Sequence, residues 1–211
     1  MALEKACTPE RIEAGTVLIT AGSCPDAVHV IREGKVHLAI RTPALGRQTI
    51  GLVGPGGIIG DSLILTQQSA PYDAFADVDS TVLTITRDRF LSLLSESASL
   101  SLRWATAMAQ RVEESHHRLV TLLTKDLAAQ IATLLVDYRI QDNGVWMVQM
   151  PHQTIADLLG ARRQSVSRVL GQMRRDGLVR SRYGSVEIVD LEATAALAGS
   201  GLDTSSLAES A

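Results

Sequence analysis

The chain has 211 residues, a formal net charge of −3 and a composition that is 45% hydrophobic and 20% charged. That is enough for one large or two modest domains with real cores, in the range of ordinary globular proteins. Two cysteines, Cys7 and Cys24, exclude a disulfide scaffold and a four-thiolate metal site made by one chain. Without a run of about 18 apolar residues or a basic stretch leading into an apolar one, a soluble cytoplasmic protein with no membrane partner is expected.

Residues 10–90 carry short apolar runs: TVLIT, AVHVI, KVHLAI, QTIGLV, GIIG and TVLTI. They are rich in valine, isoleucine and threonine and recur every 8–12 residues or so, the pattern of a small antiparallel barrel or jelly roll. Arg32-Glu33-Gly34-Lys35 reads as a hairpin turn with Gly34 at positive φ, and Gly54-Pro55-Gly56-Gly57 as a second turn. The period then changes. Thr86-Arg87-Asp88-Arg89 introduces a helical segment, and from Ala98 to about Leu123 there is neither proline nor glycine. Ala105, Met108, Val112, Ser115, Leu119 and Leu122 alternate by three and four along that stretch, as in a coiled-coil seam. A helix of about 26 residues spans roughly 39 Å, more than a small barrel needs for its own packing, so a homodimer helix is expected.

Thr124-Lys125-Asp126 reads as a hinge, with Asp126 the N-cap of a helix from Leu127 to about Arg139. Gln141-Asp142-Asn143-Gly144 is a turn and Val145–Met150 a short strand. Residues 153–182, QTIADLLGARRQSVSRVLGQMRRDGLVRSR, are the most informative in the chain. Ile155, Leu158, Leu159, Val166, Val169, Leu170 and Met173 recur at helical spacing, and Gly160 sits where a helix-turn-helix needs unusual backbone angles. Arg163, Ser167 and Arg168 fall on the opposite face, placed to reach a guanine edge or a phosphate. Between Pro151 and Gly184 seven arginines face only Asp157 and Asp176, a local positive excess inside an acidic chain. Leu178–Arg182 and Ser185–Val189 form a hairpin around Tyr183-Gly184, the wing of a winged helix. From about Thr194 the chain is rich in alanine, glycine and serine without periodicity, and disorder is expected.

A glycine-rich roll, a long helix, a hinge and a C-terminal winged helix, in that order, resemble the cyclic-AMP receptor protein/fumarate–nitrate regulator family of bacterial transcription factors. The resemblance covers roughly residues 10–191. It is carried by GIIGD at 57–61, which matches the family's phosphate-binding turn, and by QTIA followed by RRQSVSRVL at 153–170. It implies an α+β chain: a cyclic-nucleotide-binding-like β-roll over 1–97, a dimerisation helix over 98–124, a winged helix-turn-helix domain over 125–192 and a disordered tail over 193–211. The implied function is a dimeric, sequence-specific regulator that binds double-stranded DNA at a pseudo-palindromic promoter site and works with RNA polymerase. Arg163, Gln164 and Arg168 match the family's base-reading positions, with Ser167 beside them; His152, Gln153 and Arg162 match phosphate-contacting positions. The family usually has glutamate where this chain has Gln164. A carboxylate only accepts, suiting the cytosine amine, whereas an amide donates and accepts, suiting adenine. An altered preference at one base pair is therefore expected.

Members that bind cyclic AMP surround its ribose and phosphate with a glutamate and an Arg-Ser pair. The corresponding pocket here would comprise Gly60, Asp61, Ser62, Pro71 and Tyr72, with Ser115 and His116 from the long helix. Asp61 stands at the glutamate position and Pro71-Tyr72 at the Arg-Ser position, and no arginine or lysine lies between Arg47 and Arg87. A buried cyclic phosphate would lack its counter-charge, so ordinary cyclic-AMP activation is not expected. A cyclic-AMP- or cyclic-GMP-responsive regulator with a divergent pocket is the alternative, and the small-molecule effector stays open. A cupin-like metal enzyme is a third class, but His29 and His37 are eight apart and His116 and His117 adjacent on a helix, so neither pair fits its H-x-H pattern. No enzymatic activity, cofactor or metal is expected.

Overall fold

The computed structural model describes residues 8–42 and 46–199. The chain divides between Ala107 and Met108 into two compact units.

The first unit holds two four-stranded antiparallel sheets. Strands β1 (Thr8–Ile12), β2 (Val17–Ile19), β3 (Ala27–Glu33), β4 (Val36–Thr42), β5 (Gly46–Val53), β6 (Ile58–Ile59), β7 (Asp73–Ala76) and β8 (Ser80–Thr86) are ordered β1-β8-β3-β6 in one sheet and β2-β7-β4-β5 in the other. Ile12, Ile19, Ile31, Val36, Ala74 and Val82 fill the space between them. Because side chains alternate along a strand, Val28 and Ile85 point out of the same strands that send Ile31 and Val82 inward. They are buried too, beneath Phe90 and the half-buried Trp104. Phe90 lies on α2 (Arg87–Glu96) and Trp104 on the long helix α3 (Ala98–Thr124). Strands β3 and β8 are thus covered on both faces.

The segment Arg32-Glu33-Gly34-Lys35 is not a hairpin. β3 pairs with β6 and β8, β4 with β5 and β7, and the turn carries the chain from one sheet to the other. Gly34 is needed there twice over, by a φ of 92° and by a close approach at which a Cβ would sit 2.1 Å from the Ser80 hydroxyl oxygen. The short helix α1 (Asp61–Thr66) follows Gly60 directly and places Asp61 in its first turn.

The second unit contains the C-terminal part of α3, then α4 (Leu127–Asp137), α5 (His152–Leu158), α6 (Arg163–Arg175) and α7 (Leu191–Gly199). A four-stranded sheet is ordered β11-β12-β10-β9, from β9 (Ile140–Asp142), β10 (Val145–Val148), β11 (Val179–Arg182) and β12 (Ser185–Ile188). Asp126 caps α4, its Oδ1 accepting from the Ala129 amide at 2.9 Å, a bond that contributes about 1 kcal/mol. Ile131, Leu135, Ile155, Val166, Leu170 and Val179 are fully enclosed; truncating one of the larger of them to alanine costs ~2–5 kcal/mol. Gly160 turns the chain between α5 and α6 at a φ of 60°, and the Ala161 amide reaches back to the Ala156 carbonyl at 2.9 Å.

The expected disorder from Thr194 is corrected over its first residues. Helix α7 runs past 193, because Asp190 caps the Ala193 amide at 2.9 Å and Thr194 is completely buried. The leucine- and alanine-rich stretch LEATAALAG has high helix propensity, and composition alone does not reveal the cap that starts it. The rest of the expected tail, from 200 to 211, lies outside the described residues.

Candidate nucleic-acid interface and sensor pocket

Helix α6 is seated by Val166, Leu170 and Met173, all buried, while Arg162, Arg163, Gln164 and Arg168 are exposed. Gln164 and Arg168 are one turn apart and share a stripe. Ser167, expected beside the base-reading residues, is only half exposed, and its hydroxyl lies 3.0 Å from Nδ1 of His152. It ties the start of α5 to α6 and so holds α6 in place. Burial, helped by the positive charge of Arg163, pushes His152 below the usual imidazole range. Gln153 donates to Asp157 at 2.7 Å. Arg118 of α3 donates to the Leu158 carbonyl at 3.0 Å, satisfying an acceptor at the end of α5.

The seven arginines differ in their partners; Arg174 and Arg175, exposed at the end of α6, pair with no carboxylate among the described residues. Arg180 and Arg182, on the wing strand β11, both grip Glu187 of β12, at 3.1 Å and 2.6 Å. The Arg182 hydrogen bond, foremost, holds the Glu187 carboxyl below the usual carboxylate range. Glu187 lies three residues beyond the window in which charge was counted, so the local positive excess is one charge smaller than the sequence reading gave. By contrast, among the described residues no carboxylate pairs with Arg162, Arg163 or Arg168. Three guanidinium groups held outward on and beside one helix, with no internal partner, form a surface suited to a polyanion.

In the first unit Gly60, Asp61 and Ser62 are contiguous at the start of α1. Asp61 is 1% exposed, and its Oδ2 accepts from the indole N–H of Trp104 at 2.9 Å. The carboxylate expected at the ribose-binding position is therefore engaged by the chain's own side chain. Tyr72 packs on the roll core while Pro71 is exposed. Arg47, the nearest preceding cation in sequence, lies over the Phe75 ring at 3.4 Å. Ser115 and His116 belong to the second unit, where both are exposed and the Ser115 hydroxyl donates to the Arg111 carbonyl at 2.9 Å. Trp104 went unnoticed in the sequence; its one signal was a tryptophan off the seam in a chain with few aromatics.

The remaining histidines of the roll sit in strand networks. His29 Nδ1 lies 3.1 Å from the Thr84 hydroxyl; His37 lies 3.2 Å from Thr49 through Nδ1 and 3.3 Å from Asp77 through Nε2. Burial lowers the basicity of both rings, against the pull of Glu10 and Asp26 on His29 and of Asp77 on His37. Among the described residues no three His, Cys, Asp or Glu side chains cluster as a metal site, and no helix is long and apolar enough to cross a membrane.

Residues 9–97 match the cyclic nucleotide-binding domain family and residues 115–197 the Crp-like helix-turn-helix domain family. The chain is 30% identical over 189 residues to the HTH-type transcriptional regulator Cmr of Mycobacterium tuberculosis, covering 90% of this chain and 75% of that protein. It is 29% identical over 175 residues to the cyclic AMP receptor protein of Thermus thermophilus, covering 82% of this chain and 80% of the relative. A solved CRP/FNR-family transcriptional regulator from Thermus thermophilus superposes with a TM-score of 0.77 at 25% identity, over 92% of this chain and all of that one. The roll, the long helix and the helix-turn-helix thus share their order, fold and sequence with one group of proteins, and the chain belongs to the CRP/FNR family of transcriptional regulators.

Proposed function

We propose that the chain acts as a homodimer that binds a pseudo-palindromic promoter site in the cytoplasm, reads bases with Arg163, Gln164 and Arg168, and works with RNA polymerase. The observation that carries this reading is that Arg163 and Arg168 are exposed and, among the described residues, unpaired on a helix whose other face is anchored by Leu170. His152, Gln153 and Arg162 stand at the phosphate-facing edge of the same motif, and Ser167 contributes by holding His152. The dimer is supported by α3, where Leu102, Val112, Leu119 and Leu123 remain exposed on one chain; apolar side chains repeated along a helix call for a partner. In this reading 1–97 is the sensor roll, 98–124 the dimer helix, and the DNA-binding domain extends from 125 through the end of α7. The role is regulatory and not catalytic.

Activation does not follow the ordinary cyclic-AMP route. Asp61 is held by Trp104, and no cation between residues 48 and 86 faces a phosphate. A second reading, a cyclic-nucleotide-responsive regulator with a divergent pocket, is favoured by the match of the whole roll to the cyclic nucleotide-binding domain family. Thermal-shift measurements with cyclic AMP and cyclic GMP separate the two: clear stabilisation by either supports the second.

The DNA reading is tested by binding-site selection followed by competition binding. The selected site differs from the unmodified family consensus at the base pair facing Gln164. Replacing Arg168 by alanine costs ~1–3 kcal/mol of discrimination at one guanine. Uniform weakening over all sequences, or no selected site, refutes the assignment.

A further inference from the structure

An apolar cavity of about 170 Å³ lies in the first unit, on the outer face of the β1-β8-β3-β6 sheet. It is separate from the space between the two sheets. Its floor is Val28, Ile58 and Ile85, its walls include Phe90 and Trp104, and among the described residues Arg103 is its only charged lining residue. A cavity of about 150 Å³ lined by leucine, isoleucine and phenylalanine stays dry and takes up a benzene-sized molecule, so this space suits a guest of similar bulk.

The polar groups define that guest further. The one hydrogen-bond donor on the Trp104 ring is committed to Asp61, so the wall offers nothing polar to a ligand. Arg103 is exposed, and among the described residues no carboxylate or other partner engages it. A planar guanidinium with all its donors free is complementary to a carboxylate, which it binds through two parallel hydrogen bonds. A neutral hydrocarbon leaves that group unused, and a cyclic nucleotide brings sugar hydroxyls that the lining cannot satisfy.

We propose that this cavity is an effector site for a small monocarboxylate with an aromatic or compact aliphatic body. The body lies between the sheet and the Phe90 and Trp104 rings, and the carboxylate meets Arg103. Such a ligand touches Trp104, which holds Asp61, and Ala107, where the long helix leaves the roll. The site involves the first unit alone and stands whether or not the second reads DNA as proposed above.

The test uses the full chain with Trp146→Phe, which leaves Trp104 as the sole one of two tryptophans. Benzoate is the probe and Trp104 emission the signal. The expected result is a saturable change that weakens about tenfold or more with R103Q, and about tenfold or more when benzamide replaces benzoate, as loss of one charge-assisted pair implies. A107F fills the cavity and abolishes the change, with folding checked by circular dichroism. Arg103 is on the surface, so R103Q remains decisive even where A107F fails to fold. No saturable change up to the solubility limit, equal binding of benzoate and benzamide, or binding indifferent to R103Q overturns the proposal.

Discussion

The bond between Trp104 and Asp61 makes a quantitative prediction about the roll. Asp61 is 1% exposed and takes the indole N–H at 2.9 Å. A hydrogen bond to a charged group contributes about 1.5–3 kcal/mol, because its removal leaves the partner desolvated. W104F keeps an aromatic ring, and with it much of the edge-on contact to Phe90, now at 6.3 Å and 73°, but it removes the donor. It also shortens the ring, so the single variant mixes a packing loss with the lost bond. The double-mutant cycle with D61A separates them, since only the pairwise part disappears when both partners are gone. The expected coupling is ~1.5–3 kcal/mol, with the double variant less damaged than the sum of the singles. Urea unfolding followed by far-ultraviolet circular dichroism reports both units, and the transition it shows apart from that of Trp146 belongs to the roll. In W104F the remaining Trp146 reports the second unit, whose transition stays where it was. Additive effects, or a W104F cost within about 0.5 kcal/mol of zero, refute the claim that Trp104 holds the Asp61 carboxylate.

Stability falls on acidification below about pH 6.5, because His29, His37 and His152 all have lowered basicity in the fold. Between each folded pKa and the unfolded one the unfolded chain binds more protons, so stability rises with pH there and is complete above the unfolded value. Unfolding at pH 5.5 and 7.5, as rough brackets of that window, shows the loss, which is smaller in H37Q, and greater stability at the lower pH refutes it. On the wing, E187Q releases Arg180 and Arg182 from their shared partner. The expected outcome is tighter DNA binding at low salt, with the salt slope of log affinity steeper by about one; an unchanged slope shows that the wing stays clear of the phosphates.

The parts of the fold that were legible in the sequence are those whose signal is local. Helix α3 is free of proline and glycine from end to end, Asp126 caps α4 as its place before an apolar run indicated, and α5 and α6 show their buried stripe directly. The strands that escaped have little such signal. Thr8–Ile12 is an edge strand, and Asp73–Ala76 is four residues long and follows the Pro71-Tyr72 pair that stands at the Arg-Ser position. The turn at Gly34 shows the deeper limit. A glycine at positive φ fits a hairpin and a corner between sheets equally well, and the choice is made by β8, whose Ser80 presses on Gly34 from 46 residues away. Trp104 and Asp61 are 43 residues apart in the same way, and nothing in either segment announces the other.

The wing is a case where the missing information was present. A two-residue turn at Tyr183-Gly184 fixes the register of its hairpin, and that register places Arg180 directly opposite Glu187. Opposite charges facing each other across a strand pair attract, so the pairing of Arg180 with Glu187 follows from the turn length. A charge count that stopped at the turn missed it. The consequence is functional: with Arg180 and Arg182 sharing Glu187, the arginines of the motif left without a carboxylate among the described residues, Arg162, Arg163, Arg168, Arg174 and Arg175, all lie on or beside α6. On the DNA-binding reading proposed above, the charges that draw the protein to DNA and the side chains that read its bases lie on and beside one helix. A change on α6 should therefore alter affinity and sequence preference together, whereas a change on the wing should alter affinity alone.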